Sequence, residues 1–540
     1  DALDEARDTA REAARQVASL PGKLVLTSRP VGYVGDGLHA LSHYEILPLS
    51  PTNTDTFLQN WFAWIASKND ADEQWVSAKM AWLKKQIAKY PQIQPLVRNP
   101  LLLTFLAILS SSTQNAELPG RRADLYKRYV EELFDSWETG RAASDDIFAG
   151  IDKTVRRQIV VEGFYDLGWA LHLAYYGGQG CSPTIKSLIQ IISAYHADDW
   201  KEKTNLYAQA ILDFWQRAGL VDIWMIGGDE FLAFRHLTFQ EFAVAVRLQT
   251  VWQSNENQAW KFLKIHLHDP AWREPILLLI GLLNNQDAGK LIEKVLKAHS
   301  IYERVLFRDL RLAAGMLGEW RNPPAAILSK VVGRLVKKLN RLYPKGYDDS
   351  WEQDGWSQEK AIEALTAIGK PVFHHLIRIA RDYAKPEKQW LLRFEQIFTL
   401  NVHDLRQVKF LKSMSILAKL TKIEFSSSDA RYASFFGRVE FSIADSLITV
   451  FANLGMVIVP ELIAATRDTN SDIGRIACKA LEQIGSDAPE IIAALGWVVE
   501  FRDDLDVTAM FALKEINSPK AVPIFKKALK NKSSSEKGTA

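Results

Sequence analysis

Apolar residues recur at helical spacing along most of the chain, and this pattern predicts a mainly α-helical protein. Periodic stretches predict helices over 152–176, 183–195 and 203–218, and Gly219 is placed to end the third. The most regular stripe steps by 3, 1, 3, 1 and 3 positions, and it consists of Tyr126, Tyr129, Val130, Leu133, Phe134 and Trp137. Such a stripe is typical of a helix that packs against a core.

A few short stretches predict strands instead. The apolar run 23–27 is typical of a buried parallel strand that Pro30 stops, and "HYEILPLS" (43–50) predicts a second strand. With the helical stretch before them, they describe α/β architecture, in which ligands sit at the carboxyl ends of strands. Farther on, "LVDIWMIGGDEFLAFRH" predicts a hairpin around Gly227 and Gly228, which suit the positive φ angles of a tight turn.

The C-terminal part of the chain is helical and repetitive. "DIGRIACKALEQIG" (472–485) places apolar residues on one face, and "DVTAMFALKEIN" (506–517) echoes it, with weaker echoes near 311–320, 364–382 and 451–468. A helix, a Gly turn, a Pro and a second apolar helix form the unit of an α-solenoid. These units resemble HEAT repeats, which offer an extended surface for another macromolecule.

Composition agrees with an intracellular protein. The two cysteines, Cys181 and Cys478, provide neither a disulfide framework nor metal-ligand spacing. A net charge of +2, from 66 basic and 64 acidic residues, gives no general attraction to nucleic acid or membrane. The longest apolar runs noted, "PLLLTFLAIL" and "PILLLIGLL", have about half the length of a membrane span. We therefore expect a cytoplasmic protein without a membrane partner.

The first 30 residues carry candidate chemistry. The chain opens on "DALDEA", with carboxylates at Asp1, Asp4 and Glu5, and the first predicted strand runs into Ser28 and Arg29. Carboxylates beside a strand can hold Mg²⁺ or activate water, and a fixed Arg can neutralise a terminal phosphate, which suits a nucleoside triphosphate. The phosphate-binding loop G-x-x-x-x-G-K-[ST] does not occur in the 540 residues.

Several motifs together resemble the NACHT class of STAND nucleotide-binding proteins. "DALDEA" resembles the end of their Walker B motif, and "LVLTSRP" resembles their sensor 1 strand. Later blocks follow in the family's order: "LPLSPTNTDTFLQNWF", "LVRNPLLLTFLAIL", "LPGRRADLYKRYVEELFDSW", "FRHLTFQEFAVA" and "HDPAWREPILLLIGLL". The resemblance covers residues 1 to about 285. It implies that a P-loop half precedes Asp1 and that this chain is part of a longer protein.

The resemblance also implies roles for individual residues around ATP or ADP with Mg²⁺. Asp4 and Glu5 are expected to act on the attacking water, Asp1 to hold Mg²⁺ directly or through water, and Arg29 to bind nucleotide. Pro100 is expected to pack on the adenine base, and its pattern alone predicts the start of a helix. His236, in "HLTFQEF", is expected to contact the β-phosphate of ADP. Without the resemblance, a single histidine beside an apolar segment is typical of a structural residue.

The resulting fold prediction is mainly α, with the C-terminal remnant of an α/β P-loop NTPase core. Five segments follow from it: 1–50, the core remnant with Walker B and sensor 1; 51–140, a helical domain; 141–250, a winged-helix domain; 251–342, a second helical domain or the start of the superhelix; and 343–540, the HEAT-like solenoid.

The implied function is a signalling switch, closed with ADP and open with ATP. The solenoid is expected to bind a protein ligand or sensor target, and the open form to assemble into homo-oligomers, with antiphage defence as one pathway. The ATPase activity belongs to the complete chain. Two alternatives stay open: a catalytically idle scaffold with a degenerate NTPase core, and a winged-helix DNA-binding regulator, for which the basic recognition helix is missing.

We predict that residues 1–540 bind nucleotide very weakly and do not hydrolyse ATP. The reason is that backbone N–H groups and the Lys of a P-loop supply most of the grip on phosphates, and the chain has no such loop. Isothermal titration calorimetry with MgATP and with ADP measures the affinity. A micromolar dissociation constant for either nucleotide contradicts the prediction.

Overall fold

The structure is a computed structural model, which describes residues 46–89, 94–112, 121–139, 152–176, 183–200, 203–226, 229–339, 351–383 and 444–531, with Gln16, Val25, Ser42 and Tyr44. The first predicted strand and residues Asp1, Asp4, Glu5 and Arg29 lie outside the described residues. The chain divides into two compact units, Asp1–Leu283 (unit 1) and Asn284–Ala540 (unit 2). The finer division into five segments stays a prediction.

The predicted mainly α-helical fold is confirmed, because 80% of the described residues are in helices and 3% in strands. Unit 1 contains α1 (Pro51–Lys68), α2 (Glu73–Lys89), α3 (Pro100–Ser112), α4 (Arg122–Thr139), α5 (Lys153–Tyr176), α6 (Ile185–Tyr195), α7 (Thr204–Arg217), β1 (Val221–Ile226), β2 (Asp229–Phe234), α8 (Leu237–Ser254), α9 (Glu256–His266) and α10 (Pro270–Leu282), with four-residue helices at Gln94–Val97 and Ala197–Trp200. The predictions for α5, α6 and α7 agree with these bounds to within two residues.

The strand predicted at 43–50 is wrong over its described residues 46–50, which form neither helix nor strand. The backbone N–H of Leu49 donates to the carbonyl of Arg98 at 2.9 Å instead of to a neighbouring strand. Ser50 is the N-cap of α1, since its hydroxyl accepts from the backbone N–H of Asn53 at 3.1 Å. Capping by Ser50 therefore starts α1 directly after the residues for which the apolar pattern predicted a strand.

The predicted hairpin is confirmed. β1 and β2 pair in antiparallel register from Val221 opposite Phe234 to Ile226 opposite Asp229. Gly219, with φ of 76°, lies just past the end of α7, as predicted, in a backbone conformation that favours glycine. The turn residues at 227–228 lie outside the described residues.

Unit 1 is held together by the packing of α8 on α5 and α10. The closest approach of α5 and α8 is at Gly168, where a Cβ atom would lie 2.3 Å from the Cβ of Ala243. The α4 stripe predicted from the sequence faces the same core: Tyr126, Val130 and Phe134 are buried. The indole N–H of Trp215, on α7, donates to the carbonyl of Val160 at 3.0 Å and joins α7 to α5.

Unit 2 is a succession of helices over its described residues. They are α11 (Asn285–Leu296), α12 (Arg308–Glu319), α13 (Ala325–Leu339), α14 (Trp351–Ile368), α15 (Val372–Tyr383), α16 (Val459–Ala465), α17 (Ser471–Ile484), α18 (Pro489–Phe501), α19 (Asp506–Ile516) and α20 (Val522–Asn531), with a four-residue helix at Glu303–Leu306. On α17 the predicted face is buried at Ile473, Ile476, Ala477, Ala480 and Leu481. Gly485 follows with φ of 65°.

Polar contacts join the segment between α16 and α17 to the segment between α18 and α19. The guanidinium of Arg502, just after α18, donates to the carbonyls of Thr466 at 3.4 Å and Asp468 at 2.5 Å. The hydroxyl of Ser471 donates to the Asp504 carboxylate at 2.6 Å. Two neighbouring helix pairs are therefore tied to each other, which is compatible with a repeat or solenoid region.

One apolar segment is longer than any run noted in the sequence. Ala444–Ala465 has a mean hydropathy of 2.0 over 18 residues, and it is the one helix among the described residues that could cross a membrane by length and composition. Within unit 2, 44% of that stretch is buried. Phe451 packs on Phe373 of α15 with ring centroids 4.9 Å apart, and Gln358 of α14 donates to the Ser446 hydroxyl at 2.6 Å. Part of this apolar surface is thus used in packing inside the unit.

Replacing Gly318 by Ala is predicted to destabilise unit 2. A Cβ atom at this position of α12 would lie 2.1 Å from the carbonyl oxygen of Ala367 on α14, so the two helices must separate. We expect a loss of about 1–3 kcal/mol in the free energy of unfolding, measured by urea denaturation. Gly333→Ala on α13 is the matched control, because no atom lies within 4 Å of its added Cβ. The control is expected to gain about 0.5–1 kcal/mol, and equal stability of both variants contradicts the helix contact.

Candidate functional site

Two helices that begin at predicted nucleotide-binding residues meet in an aromatic cluster. Phe105 of α3 lies with its ring centroid 5.3 Å from that of Phe239 of α8 and 4.0 Å from that of Tyr129 of α4. Tyr126, also on α4, packs on Phe242 of α8 at 5.7 Å. Each such pair adds about 0.5–1.5 kcal/mol beyond its buried area. The cluster therefore fixes α3, α4 and α8 to one another.

Pro100 is exposed at the first position of α3. The side-chain oxygen of Asn99 accepts hydrogen bonds from the backbone N–H groups of Leu101 at 3.0 Å and Leu102 at 3.2 Å. The prediction that Asn99 and Pro100 open a helix is confirmed. The proline ring, which has no hydrogen-bonding group, is left accessible on the outside of unit 1, and its role toward adenine stays a prediction.

His236 is the N-cap residue of α8, with φ of −131° and ψ of 120°, and its side chain does not cap the helix. Its carbonyl accepts from the backbone N–H of Phe239 at 3.0 Å, and the residue is exposed. Within the described part of the chain, the imidazole makes no hydrogen bond or ion pair. An accessible imidazole beside the N-terminus of an 18-residue helix is an arrangement that suits an anion.

The aromatic cluster ties the positions of Pro100 and His236 to each other. Pro100 precedes Phe105 by five residues and His236 precedes Phe239 by three. At a rise of about 1.5 Å per residue, each helix start lies within about 8 Å, along its own axis, of the cluster. The cluster therefore links the two helix starts through the packing of α3 on α8. The other predicted site residues, Asp1, Asp4, Glu5 and Arg29, lie outside the described residues.

No group of three or more His, Cys, Asp or Glu side chains that could hold a metal occurs among the described residues. The predicted Mg²⁺ ligand, Asp1, is not one of them. ATP or ADP with Mg²⁺ therefore stays a prediction for this chain. Among the described residues, Pro100 and His236 are the two for which a contact with nucleotide is predicted.

A buried ion pair that the sequence analysis missed anchors α8. The guanidinium Nε of Arg247 lies 2.8 Å from the carboxylate of Asp166, and its NH1 lies 2.9 Å from that of Glu162, both on α5. The second oxygen of Asp166 is 2.6 Å from Nε2 of His196, which follows α6. Asp166 sits inside an apolar helix, "VVEGFYDLGWALHL", and that is the available signal, since a buried charge must be paired.

A second polar group is buried in unit 1 and is centred on His172 of α5, which contacts α8 and α10. Nδ1 of His172 is 3.3 Å from the amide nitrogen of Gln240, and its ring packs edge-on against Trp272 at 4.5 Å. His266 stacks on the same indole at 4.5 Å. His172 is 1% exposed, and burial, with a smaller contribution from nearby His266, lowers its pKa to about 3. The native state therefore holds this imidazole neutral.

Two of the residues that follow His236 are buried in unit 1. Phe239 is 1% exposed and belongs to the aromatic cluster, and Glu241 is 4% exposed. Arg122, at the start of α4, pairs with Glu274 of α10 at 3.1 Å. The blocks "GRRADLYKRYVEELF", "FRHLTFQEFAVA" and "DPAWREPILLL" are therefore in contact in unit 1, as helices α4, α8 and α10.

No family model and no curated protein sequence matches the chain. Among solved structures, the chain is similar to the crystal structure of an engineered protein from the Northeast Structural Genomics Consortium, with 15% sequence identity. That match covers 75% of this chain and 95% of the engineered one, with a TM-score of 0.20. Superposition at this level does not establish a shared fold.

His172 is predicted to make unit 1 sensitive to mild acid. The unfolded chain takes up a proton on this residue near pH 6.5, whereas the folded chain resists protonation until about pH 3. The contribution of neutral His172 to the free energy of unfolding is therefore fully present above pH 6.5. It is lost as the pH drops below 6.5, by up to about 1.4 kcal/mol per pH unit. We expect His172→Gln to flatten the pH dependence of urea unfolding between pH 6.5 and 5.

The matched control is His374→Gln, which changes an exposed histidine of α15. It is expected to leave the slope of stability against pH unchanged. Measuring above pH 5 keeps the ordinary titration of carboxylates out of the comparison. An unchanged slope in His172→Gln means that His172 is not the group that gains a proton on unfolding.

Proposed function

We propose that this chain is part of a nucleotide-controlled signalling switch of the NACHT class, closed with ADP and open with ATP. Unit 1 contributes residues that contact the nucleotide, and the HEAT-like helices of unit 2 bind a protein ligand or sensor target. Activated protomers assemble into homo-oligomers, and antiphage defence is the pathway that the resemblance favours.

The observation that carries the proposal is the joint placement of Pro100 and His236. They lie far apart in the sequence, yet the contact of Phe105 with Phe239 joins the helices that begin at them. Both residues are exposed. A flat apolar ring suits the face of a base, and an imidazole suits a phosphate, because it can donate a hydrogen bond to an anion.

The helices α5, α6 and α7 followed by the β1–β2 hairpin support a winged-helix domain. The end of this wing carries exposed Asp229 and Glu230, and Arg235 is paired with Asp222 at 2.8 Å. Carboxylates at the end of a wing repel the phosphate backbone of DNA. We therefore favour a domain that closes on the nucleotide over a DNA-binding regulator.

The anchoring of α8 explains how His236 could report on nucleotide. The aromatic cluster fixes α8 near its start, close to the exposed imidazole. Farther along the helix, the ion pairs of Arg247 with Asp166 and Glu162 fix it as well. A change in phosphate contact at His236 therefore acts on a helix bound to the rest of unit 1, and not on a free loop. Such an arrangement is what a switch requires.

The second candidate is a non-catalytic HEAT-like scaffold with a degenerate NTPase core. The observation in its favour is that no G-x-x-x-x-G-K-[ST] motif occurs in residues 1–540. The reading frame upstream of Asp1 distinguishes the two candidates. A P-loop that follows an apolar strand there supports the switch, and its absence supports the scaffold.

His236→Ala is predicted to loosen the closed state of a chain extended upstream to include a P-loop. A hydrogen bond to a charged phosphate contributes about 1.5–3 kcal/mol, whereas moving a switch from 1:99 to 99:1 needs about 5.5 kcal/mol. We expect ADP release to be faster by about one to two orders of magnitude, with more oligomer at a given ATP concentration. The variant is not expected to be locked open.

Stopped-flow release of a fluorescent ADP analogue and size-exclusion chromatography give the two readouts. His374→Ala, which removes an exposed histidine of unit 2, is the control and is expected to behave as wild type. Circular dichroism checks that the helices are intact. If a folded His236→Ala variant keeps the wild-type rate of ADP release and the wild-type oligomer fraction, His236 has a structural role only.

A further inference from the structure

Helix α13 carries a row of cations and no carboxylate. Lys330, Arg334, Lys337 and Lys338 are spaced at 4, 3 and 1 positions, which places them along one side of the helix. Lys330, Arg334 and Lys337 are exposed, and none of the three makes an ion pair with another described residue. The opposite side is buried in unit 2 through Leu328, Val331, Val332, Leu335, Val336 and Leu339. The charged row thus faces outward, and α13 has no carboxylate that could neutralise it.

Beside this row lies an exposed apolar loop. Ile301 is 74% exposed, Tyr302 68% and Val305 69%. Tyr302 has a φ of 65°, and His299 and Phe307, which flank the loop, have φ of 52° and 38°. Left-handed backbone at residues other than glycine costs free energy and persists only where the surroundings impose it. Three large side chains are therefore held outward in a defined conformation.

The loop is fixed from beneath by its own polar groups. The backbone N–H of Ser300 donates to the Asp309 carboxylate at 3.0 Å, and that of Asp309 donates to the Glu303 carboxylate at 2.6 Å. Asp309 is 1% exposed, and burial raises the pKa of Glu303. Asp309 is thus used inside the segment, and Glu303 faces Lys338 at one end of the row, which leaves Lys330, Arg334 and Lys337 without an ion pair among the described residues.

The cationic row and the apolar loop form one continuous surface. The ammonium of Lys338 lies 5.0 Å from the ring centroid of Phe307 and donates to the carbonyl of Arg304 at 3.3 Å. Within the row, Gly333 leaves a notch, since no atom lies within 4 Å of a Cβ added there. A glycine in this position lets another backbone come close to the helix.

We propose that this basic and apolar surface binds an acidic amphipathic segment of another protein. Carboxylates of that segment pair with Lys330, Arg334 and Lys337, its backbone passes the notch at Gly333, and its apolar side chains cover Ile301 and Val305. Such pairing steers association and sets specificity. Docking at this surface does not depend on nucleotide control in unit 1.

Two other anionic partners fit the surface less well. A nucleic acid can use the cations and can stack on Tyr302, but it leaves the exposed aliphatic side chains of Ile301 and Val305 uncovered. A bilayer is a flat partner that cannot fill the notch at Gly333, whereas a peptide backbone can. An acidic protein segment satisfies the cations, the notch and the apolar loop together.

The test uses a fluorescein-labelled synthetic helix of 20 residues, with Leu at i, i+3, i+4 and i+7 positions and Glu elsewhere, as the probe. Its binding to residues 1–540 is followed by fluorescence anisotropy at low and at physiological salt. We expect the triple variant Lys330→Glu, Arg334→Glu, Lys337→Glu to bind at least about tenfold more weakly, from three surface charge contacts. Ile301→Ser with Val305→Ser, and Gly333→Leu alone, are each expected to weaken binding several-fold.

The matched control reverses three charges elsewhere in unit 2, through Arg475→Glu, Lys479→Glu and Lys514→Glu on α17 and α19. It is expected to keep wild-type affinity after allowance for the lower net charge, and circular dichroism confirms folding of every variant. The proposed docking is overturned if wild-type protein does not bind the peptide, or if both triple variants lose affinity equally. It is also overturned if vesicles with 30% phosphatidylserine, or a 20-base-pair DNA, bind through these residues and the peptide does not.

Discussion

The arrangement of unit 1 depends on an ion pair, because a charged side chain in the interior needs a partner of opposite charge. Asp166 and Arg247 have side chains 8% and 16% exposed, and they join α5 to α8 across 2.8 Å. Taking these charges from water is costly, and removing one of them would leave the other with its second partner alone, His196 for Asp166 and Glu162 for Arg247. Because α8 also contacts α10 and the aromatic cluster on α3 and α4, this pair holds the element through which the rest of unit 1 is connected.

Apolar packing alone does not explain the register of α5 against α8. At Gly168 the helices come so close that even a methyl group would clash with Ala243, which sets their spacing. Apolar surfaces are non-directional, however, and tolerate sliding. The contacts of Arg247 with both Asp166 and Glu162, one turn apart on α5, can be made in one register only. We infer that the glycine fixes the distance and the ion pairs fix the register, and that this determines where His236 lies.

Local signals in the sequence predicted the helices well, but they do not specify which distant residues contact each other. Gly219 and the apolar periodicity located α7 and the hairpin, and Asn99 with Pro100 located the start of α3. The strand predicted at 43–50 was wrong over residues 46–50, since a strand needs a partner, and the backbone N–H of Leu49 instead donates to the carbonyl of Arg98. The ion pair of Arg247 with Glu162 joins residues 85 positions apart, and no local pattern specifies which buried charge meets which. The sequence analysis placed a repeat unit at 451–468 but did not identify the overlapping apolar segment Ala444–Ala465, whose apolar run is interrupted by Pro460 and Glu461.

The candidate site shows the same division. Motif order suggested Pro100 and His236, but the contact of Phe105 with Phe239 that relates them depends on tertiary packing. The proposed sites also differ in the physics of anion binding. A single imidazole at a helix start can distinguish small changes at one phosphate, whereas Lys330, Arg334 and Lys337 spread charge over about two turns of α13 and match an extended acidic segment. On these proposals, nucleotide state and partner contact are recognised by different chemistry, so that one can be altered by substitution while the other is kept.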